Sequence, residues 1–521
     1  MNLLKAITTV GGFTLLSRVF GFVRDMLIAN FLGAGMVADA FVVAFRLPNL
    51  FRRLFAEGAF AAAFVPLFAR ELEGDADTEA ARARARAFAD QAMALLALVL
   101  VVFTALFEIA MPWVMVVMAG GFAEVPGKME LATDLSRIAF PYLLFISLVS
   151  LQSGILNSLG RFAAAAAAPV LLNLVLIAAL LGFADRMETP GHALAWGVFW
   201  AGIAQFAWLA WHCRAHGFPL RLVRPQWTEK VALLIKRILP VVFGASLYQV
   251  NLLIGTILAT YVADGAVSYL YYADRVTQLP LGVVGVAVGT ALLPLLARQL
   301  KAGETSAALN SQNRGLEFAL LLTLPAAAAC LVIPDEIIRV LFERGAFGAE
   351  ATAATAAALF AYATGLPAYV LIRVLAPGFY AREDTATPVR IAIAAMAVNI
   401  VLMLVLMKPM GHVGIAFAAS ASAWLNTLLL AIVLVRRGHF ALDARLRGRL
   451  PRILLATAGM VGVLEIARQN LGFLTAGNTG ERALGLILLV ALGLVAFTAL
   501  ALVLRAAGIR DAKSMLRAKD L

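Results

Sequence analysis

The chain has only two cysteines, Cys213 and Cys330, far apart in sequence, and this excludes a disulfide framework. Histidine is almost as scarce. His212 and His216 stand at i and i+4 without further ligands, which gives zinc little to bind, and His192 and His412, each next to a glycine, suit helix starts better than a proton relay. No Ser/His/Asp set and no carboxylate pair stands in a catalytic pattern. The stretch 121–129 ends in Gly-Lys-Met, but its glycine spacing is one residue off and no Ser or Thr follows the lysine, so ATP hydrolysis has no support. Strand-like alternation is missing, which rules out a membrane barrel. Charge is thin as well: 14% of residues are charged against 62% hydrophobic, and the mean hydropathy is +0.89. These absences leave an all-α polytopic membrane protein with no enzyme chemistry, no metal and no cofactor.

At about 20 apolar residues per crossing, the length suits about fourteen transmembrane helices. The first two are expected over 10–32 and 36–69, with a bend at Pro48, and the last four over 386–407, 413–435, 450–471 and 483–504. Most of the 43 lysines and arginines fall on the side shared by both termini, so both termini are expected in the cytoplasm. The net charge of +12 is then a property of the cytoplasmic face, facing membrane lipids, and no nucleic-acid partner follows from it. The segment 334–349 has the pattern of a short amphipathic helix lying in the interface.

Charges that a lipid-facing helix could not hold lie inside the first two spans. Arg18, Arg24 and Asp25 sit in the first, and Arg46, Arg52, Arg53 and Glu57 sit in the second, where each costs kilocalories unless it faces protein or water. Arg18 and Asp25 are seven residues apart and share a helical face, with Arg24 about 100° away. By depth, Arg24 and Arg275 fall about 15 Å from the outer face and Arg18 and Arg52 about 23 Å, which describes a cationic funnel opening inward.

Two halves of the chain repeat one another. Val37-Ala38-Asp39-Ala40 matches Val262-Ala263-Asp264-Gly265; 65–70 matches 293–298; Gly191-His192 matches Gly411-His412. An even number of spans separates equivalent points, so the halves are expected to be two six-helix lobes related by a pseudo-two-fold along the membrane normal, with two extra C-terminal helices. The boundaries are 1–225, 226–440 and 441–521, the last including a cytoplasmic tail. The alignment brings Arg46 close to Arg275, so each lobe aims a cation inward. The extra pair carries Gly459, Gly462, Gly485 and Gly493 on otherwise apolar helices and offers a groove for a lipid tail, or close helix packing.

The stretches SRVFGFVRDMLIANFLGAG, ADAF, FRLPNLFRRLFAEGAFAAAFVPLF, YYADR, GTALLPLLAR and LFERGAF occur in an order, over nearly the whole chain, that closely resembles the MurJ (MviN) family of bacterial lipid II flippases. That family sits within the multidrug/oligosaccharidyl-lipid/polysaccharide exporter superfamily. The resemblance implies a transporter that moves undecaprenyl-pyrophosphate-linked disaccharide pentapeptide to the outer leaflet by alternating access. It implies substrate-binding arginines at Arg18, Arg24, Arg52 and Arg275, with Asp25, Asp39, Glu57 and Asp274 in support, and Arg46 where relatives often have lysine. It also implies a monomer working beside other cell-wall synthesis proteins. The residues agree with the chemistry, because guanidinium forks hold phosphate oxygens bidentately and gain strength away from water.

Two transport rivals remain: a flippase for another polyprenyl-linked glycan, and a cation-coupled drug antiporter, against which the arginine excess and the extra helices argue. A scaffold has no need of midplane arginines. Asn251, Asp274, Asp384 and Asn399 offer oxygens for a sodium site but no ligand geometry, so membrane potential, sodium and protons all stay open as driving force. The topology is directly testable: single cysteines at 128, 186 and 408 should be labelled from outside the cell, and cysteines at 82 and 445 should not. Outside labelling at 82 or 445 overturns the helix count.

Overall fold

A computed structural model describes residues 3–52, 59–72 and 79–508. Seventeen α-helices and no strand are found among them. The chain divides into two compact units, one of Met1–Ser268 with Arg344–Phe347 and the other of Tyr269–Glu343 with Gly348–Leu521.

The first unit begins with α1 (Leu3–Leu32), which stops where Gly33 turns into the left-handed region at φ 65°. Helix α2 (Met36–Phe51) follows, and α3 (Ala59–Leu72) after it. The sequence predicts a single bent span over 36–69, and residues 53–58 lie outside the described residues. Pro48 stands inside α2, where it withholds the amide that would donate to Ala44 O, and one residue on the Asn49 side-chain amide donates to Phe45 O at 3.0 Å. Helix α4 (Glu79–Met118) has 40 residues, about 60 Å of helix for a core of about 30 Å, and Arg82 and Arg84 are exposed on its leading end. Helices α5 (Lys128–Ala139) and α6 (Tyr142–Ser158) are broken at Pro141 and together make one apolar crossing. Helices α7 (Phe162–Phe183), α8 (Pro190–Ala215) and α9 (Glu229–Thr260) complete the unit.

The second unit holds α10 (Ala266–Lys301) from Tyr269 onward, α11 (Thr305–Val332) and α12 (Pro334–Phe342), the short amphipathic helix that the sequence predicts there. Helices α13 (Ala349–Ala363) and α14 (Leu366–Tyr380) form another broken crossing. The long α15 (Ala386–Arg436) is a hairpin, not a rod: Gly411 leaves the helical region at φ 58°, ψ −138°, and Ser422 Oγ reaches back to Ala395 O at 2.7 Å. Its two arms are the expected spans 386–407 and 413–435. Helices α16 (Ala444–Ala476) and α17 (Thr479–Val503) are joined by a capping box, in which Asn478 accepts from Glu481 N at 3.0 Å and Glu481 accepts from Asn478 N at 2.9 Å. Among the described residues, nine helical stretches are long and apolar enough to cross a bilayer.

An ionic hub fastens α16 to α11. Glu317, buried on α11, accepts from Arg314, Arg449 and, at 3.2 Å, Arg445, while Arg314 also reaches Asp443. Three guanidiniums around one buried carboxylate repel one another once it is removed. Glu317→Ala should therefore lower stability by about 3 kcal/mol or more. Asp443→Ala, whose side chain is 33% exposed, should cost clearly less. Equal thermal midpoints for wild type and Glu317→Ala in detergent would dismiss the hub.

Candidate functional site

The sequence draws attention first to α1. Arg24 and Asp25, in the middle of it, are 7% and 3% exposed. The guanidinium is tied on two sides: Nε and Nη2 donate to Asp25 Oδ1 at 3.1 and 2.7 Å, and Nη1 donates to Asn173 Oδ1 at 2.9 Å. Asn173, on α7, is in turn fixed by donating to Ser17 O at 2.9 Å. Gly21 lies against the Asn173 side chain, where a Cβ would stand 3.4 Å from the amide nitrogen, an ordinary contact. The network sets the plane of the Arg24 fork, which is what bidentate recognition of an oxyanion needs. Asn173 was missed by sequence reasoning, although one asparagine in the apolar run of α7 is the kind of polar residue that membrane helices keep for a partner.

The other predicted positions are spread along both units. Arg18 is exposed on α1, about 1.7 turns before Arg24. Arg52 follows α2 and is half-buried, with Nε donating to Asn49 Oδ1 at 3.1 Å; Arg46 on α2 donates to Leu252 O of α9 at 3.2 Å. Glu57, like Arg53, lies outside the described residues. In the second unit, Arg275 lies over the Tyr271 ring at 4.6 Å, and the neighbouring Asp274 accepts from Gln278.

Of the suggested sodium ligands, Asn251 lies half-buried on α9 and Asn399 is fully buried in α15. Asp384 stands before α15, where it accepts from Thr387 N at 2.9 Å and pairs with Arg437 at 2.6 Å. Helix rise separates Asp384 from Asn399 by about 22 Å, so these two do not meet. The Thr387 hydroxyl and amide, with Arg437, hold the Asp384 carboxyl well below the usual range. With its folded pKa depressed, this contribution is present above about pH 4 and fades as pH falls toward the folded value.

A second charged centre lies at the predicted outer end of the first unit. Asp39, in the first turn of α2, is fully buried. It receives Gly265 N at 2.8 Å, Ser268 N at 2.8 Å and Ser268 Oγ at 2.5 Å, and so caps the start of α10 with a carboxylate. Lys128, at the start of α5, joins Asp39 at 2.7 Å and Asp264 at 2.5 Å, with its ammonium 4.2 Å from the Phe122 ring centroid. The two aspartates that the internal repeat makes equivalent thus meet on one lysine. The sequence reading treats Lys128 only as an outside marker; at 1% exposure it is buried, and a cysteine there will resist labelling. Elsewhere in the first unit, Ala346 N of the Leu341–Phe347 motif donates to Asn30 O at 2.9 Å. Gly345, at φ 54°, comes so near that a Cβ would lie 2.4 Å from that same oxygen.

The described residues, all-helical, with many helices apolar enough to cross a bilayer and a buried, ion-paired arginine inside the first, define a polytopic helical membrane protein. A solved structure described as lipid II flippase MurJ, inward closed conformation, matches at TM-score 0.77 and 23% identity, over 95% of this chain and 98% of that one. An inward-facing multidrug resistance MATE family transporter of the MOP superfamily matches at TM-score 0.68 and 14% identity, over 83% and 98%. At these identities both speak for the fold alone. The family model described as Lipid II flippase MurJ matches residues 28–475, and the chain belongs to this family. The probable lipid II flippase MurJ of Rhizobium meliloti is 45% identical over 510 residues, covering 96% of this chain and 94% of its own. That of Vibrio cholerae is 38% identical over 512 residues, covering 96% of each, and the lipid II flippase MurJ of Burkholderia cenocepacia is 38% identical over 450 residues, covering 84% and 85%.

Removing the shared lysine tests the outer centre. Lys128→Met leaves Asp39 buried without its cation and should cost about 3 to 5 kcal/mol, read as a lower thermal midpoint. Adding Asp264→Asn should return part of that loss, because one of two facing carboxylates is gone. A loss unchanged by the second substitution refutes the shared role.

Proposed function

We propose that this chain is a lipid II flippase, carrying the undecaprenyl-pyrophosphate-linked peptidoglycan precursor from the cytoplasmic to the periplasmic leaflet of the inner membrane by alternating access. On this reading it has fourteen spans with both termini in the cytoplasm, works as a monomer beside other cell-wall synthesis proteins, and draws on membrane potential, sodium or protons. Membership of the family carries the substrate. The chemistry that supports it is the buried Arg24 fork held by Asp25 and Asn173, a cation prepared for an oxyanion in a chain without a catalytic constellation.

Arg18, Arg24, Arg52 and Arg275 share the diphosphate in this proposal, with Arg46, Asp25, Asp39, Glu57 and Asp274 in supporting positions. Each guanidinium lost from a desolvated phosphate site removes about 2 to 4 kcal/mol, or about 30-fold to 1000-fold in affinity. Arg52→Ala and Arg275→Ala should therefore abolish flipping in cells while the protein stays inserted at normal abundance, and lysine at either position should rescue partly. Arg24→Ala should lose fold as well, since Asp25 at 3% exposure then lacks the Arg24 charge. Depletion of the protein should make lipid II accumulate in the inner leaflet. Accumulation of a different polyprenyl-linked glycan, or full complementation by the Arg52 and Arg275 alanine variants, overturns the assignment.

A further inference from the structure

Between α8 and α9 the chain runs from His216 to Thr228 without regular structure, yet it is held along its length. Arg86 of α4 donates to Gly217 O at 2.7 Å, Asp90 accepts from Arg221 N at 2.9 Å, and Gln91 accepts from Gln226 N at 3.0 Å. Phe218 is buried against Phe68 with ring centroids 5.6 Å apart. The Thr228 hydroxyl caps α9 by accepting from Val231 N at 3.3 Å, and Lys230 pairs with Glu71 at 2.7 Å. A polar backbone segment fixed at so many points is a strap across α4, and the side chains it turns outward are fixed with it.

Large apolar and cationic side chains stand out among them, beside Pro225 and Gln226. Leu222 is 77% and Trp227 70% exposed, among the most exposed large hydrophobic residues described, and Arg221 and Arg224, on either side of Leu222, are exposed as well. No acidic residue occurs from Arg214 to Thr228. Trp211, 61% exposed on the last turns of α8, adds a third apolar group near the same end of that crossing. Water is a poor neighbour for such a surface. The end of a membrane-spanning helix, where indole rings sit at headgroup depth and guanidiniums meet phosphates, is a good one.

We infer that the 217–228 strap is a docking surface for anionic phospholipids of the leaflet it faces. Arg221 and Arg224 take the headgroup phosphates, and Leu222 and Trp227 enter the acyl boundary. The inference rests on the membrane-spanning reading of α8 and not on the identity of the transported lipid. The hydrogen bonds from α4 go to the backbone of the strap, and of these four side chains only Arg221 adds a charge interaction, with Asp90, so a change to glutamine leaves the hydrogen bonds that hold the strap in place.

The full-length protein serves as the test. Cys213 and Cys330 are buried, so Trp227→Cys presents the one accessible thiol for a bimane label. In phosphatidylcholine vesicles containing phosphatidylglycerol, quenching of this label by brominated acyl chains should be several-fold stronger, and quenching by iodide several-fold weaker, than in phosphatidylcholine alone. Arg221→Gln with Arg224→Gln should abolish that difference and reduce the phosphatidylglycerol that copurifies with the protein, at an unchanged thermal midpoint. Lipid II added to phosphatidylcholine vesicles should not reproduce the shift. Equal iodide access in both vesicle types, the same copurifying lipid in the double variant, or a shift produced by lipid II alone refutes the inference, the last assigning the strap to the transported lipid instead.

Discussion

An ion in hydrocarbon has no water to solvate it, and this cost governs the inner structure of the chain. Each buried charge described here is answered within its own unit. Arg24 has Asp25 and Asn173, Asp39 has Lys128 and the start of α10, and Glu317 has three arginines. The packing of α1 on α7, of α2 against α5, and of α16 on α11 is therefore fixed by charge as well as by shape. Apolar contact alone would not specify these pairings, because lipid tails are as apolar as leucine.

On the proposed function, the same answer limits how tightly the transported lipid is held. A diphosphate arriving at Arg24 meets a guanidinium whose Nε and Nη2 already face Asp25. It must compete with a carboxylate, and the gain in free energy is the difference between two good partners rather than the whole of one. A transporter profits from that, since a substrate bound too firmly on one side is not released on the other. Asn173 contributes geometry without charge, and so orients the fork while leaving the balance of ions untouched.

What was legible in the sequence was whatever depends on neighbours along a helix. The all-helical class, the two arms of α15, the amphipathic α12 and the burial of Arg24 and Asp25 follow from runs and spacings of a few residues. Asn173 and Lys128 were not legible, because their meaning depends on partners 149 and 89 residues away. Lys128 was misread for a particular reason: a lysine in a short stretch between two apolar runs looks like a solvated loop charge, and nothing local tells that α5 carries it beneath Asp264.

Asp39 and Asp264 occupy matching places in the two halves of the chain, yet they lead different lives. Asp39 is fully enclosed and caps a helix, while the Asp264 side chain is 49% exposed. A single lysine, belonging to one half only, serves both. Matching residues in the two halves thus have unlike surroundings. If the lysine is lost, water can reach Asp264 and take its place, but the enclosed Asp39 is left with an unanswered charge.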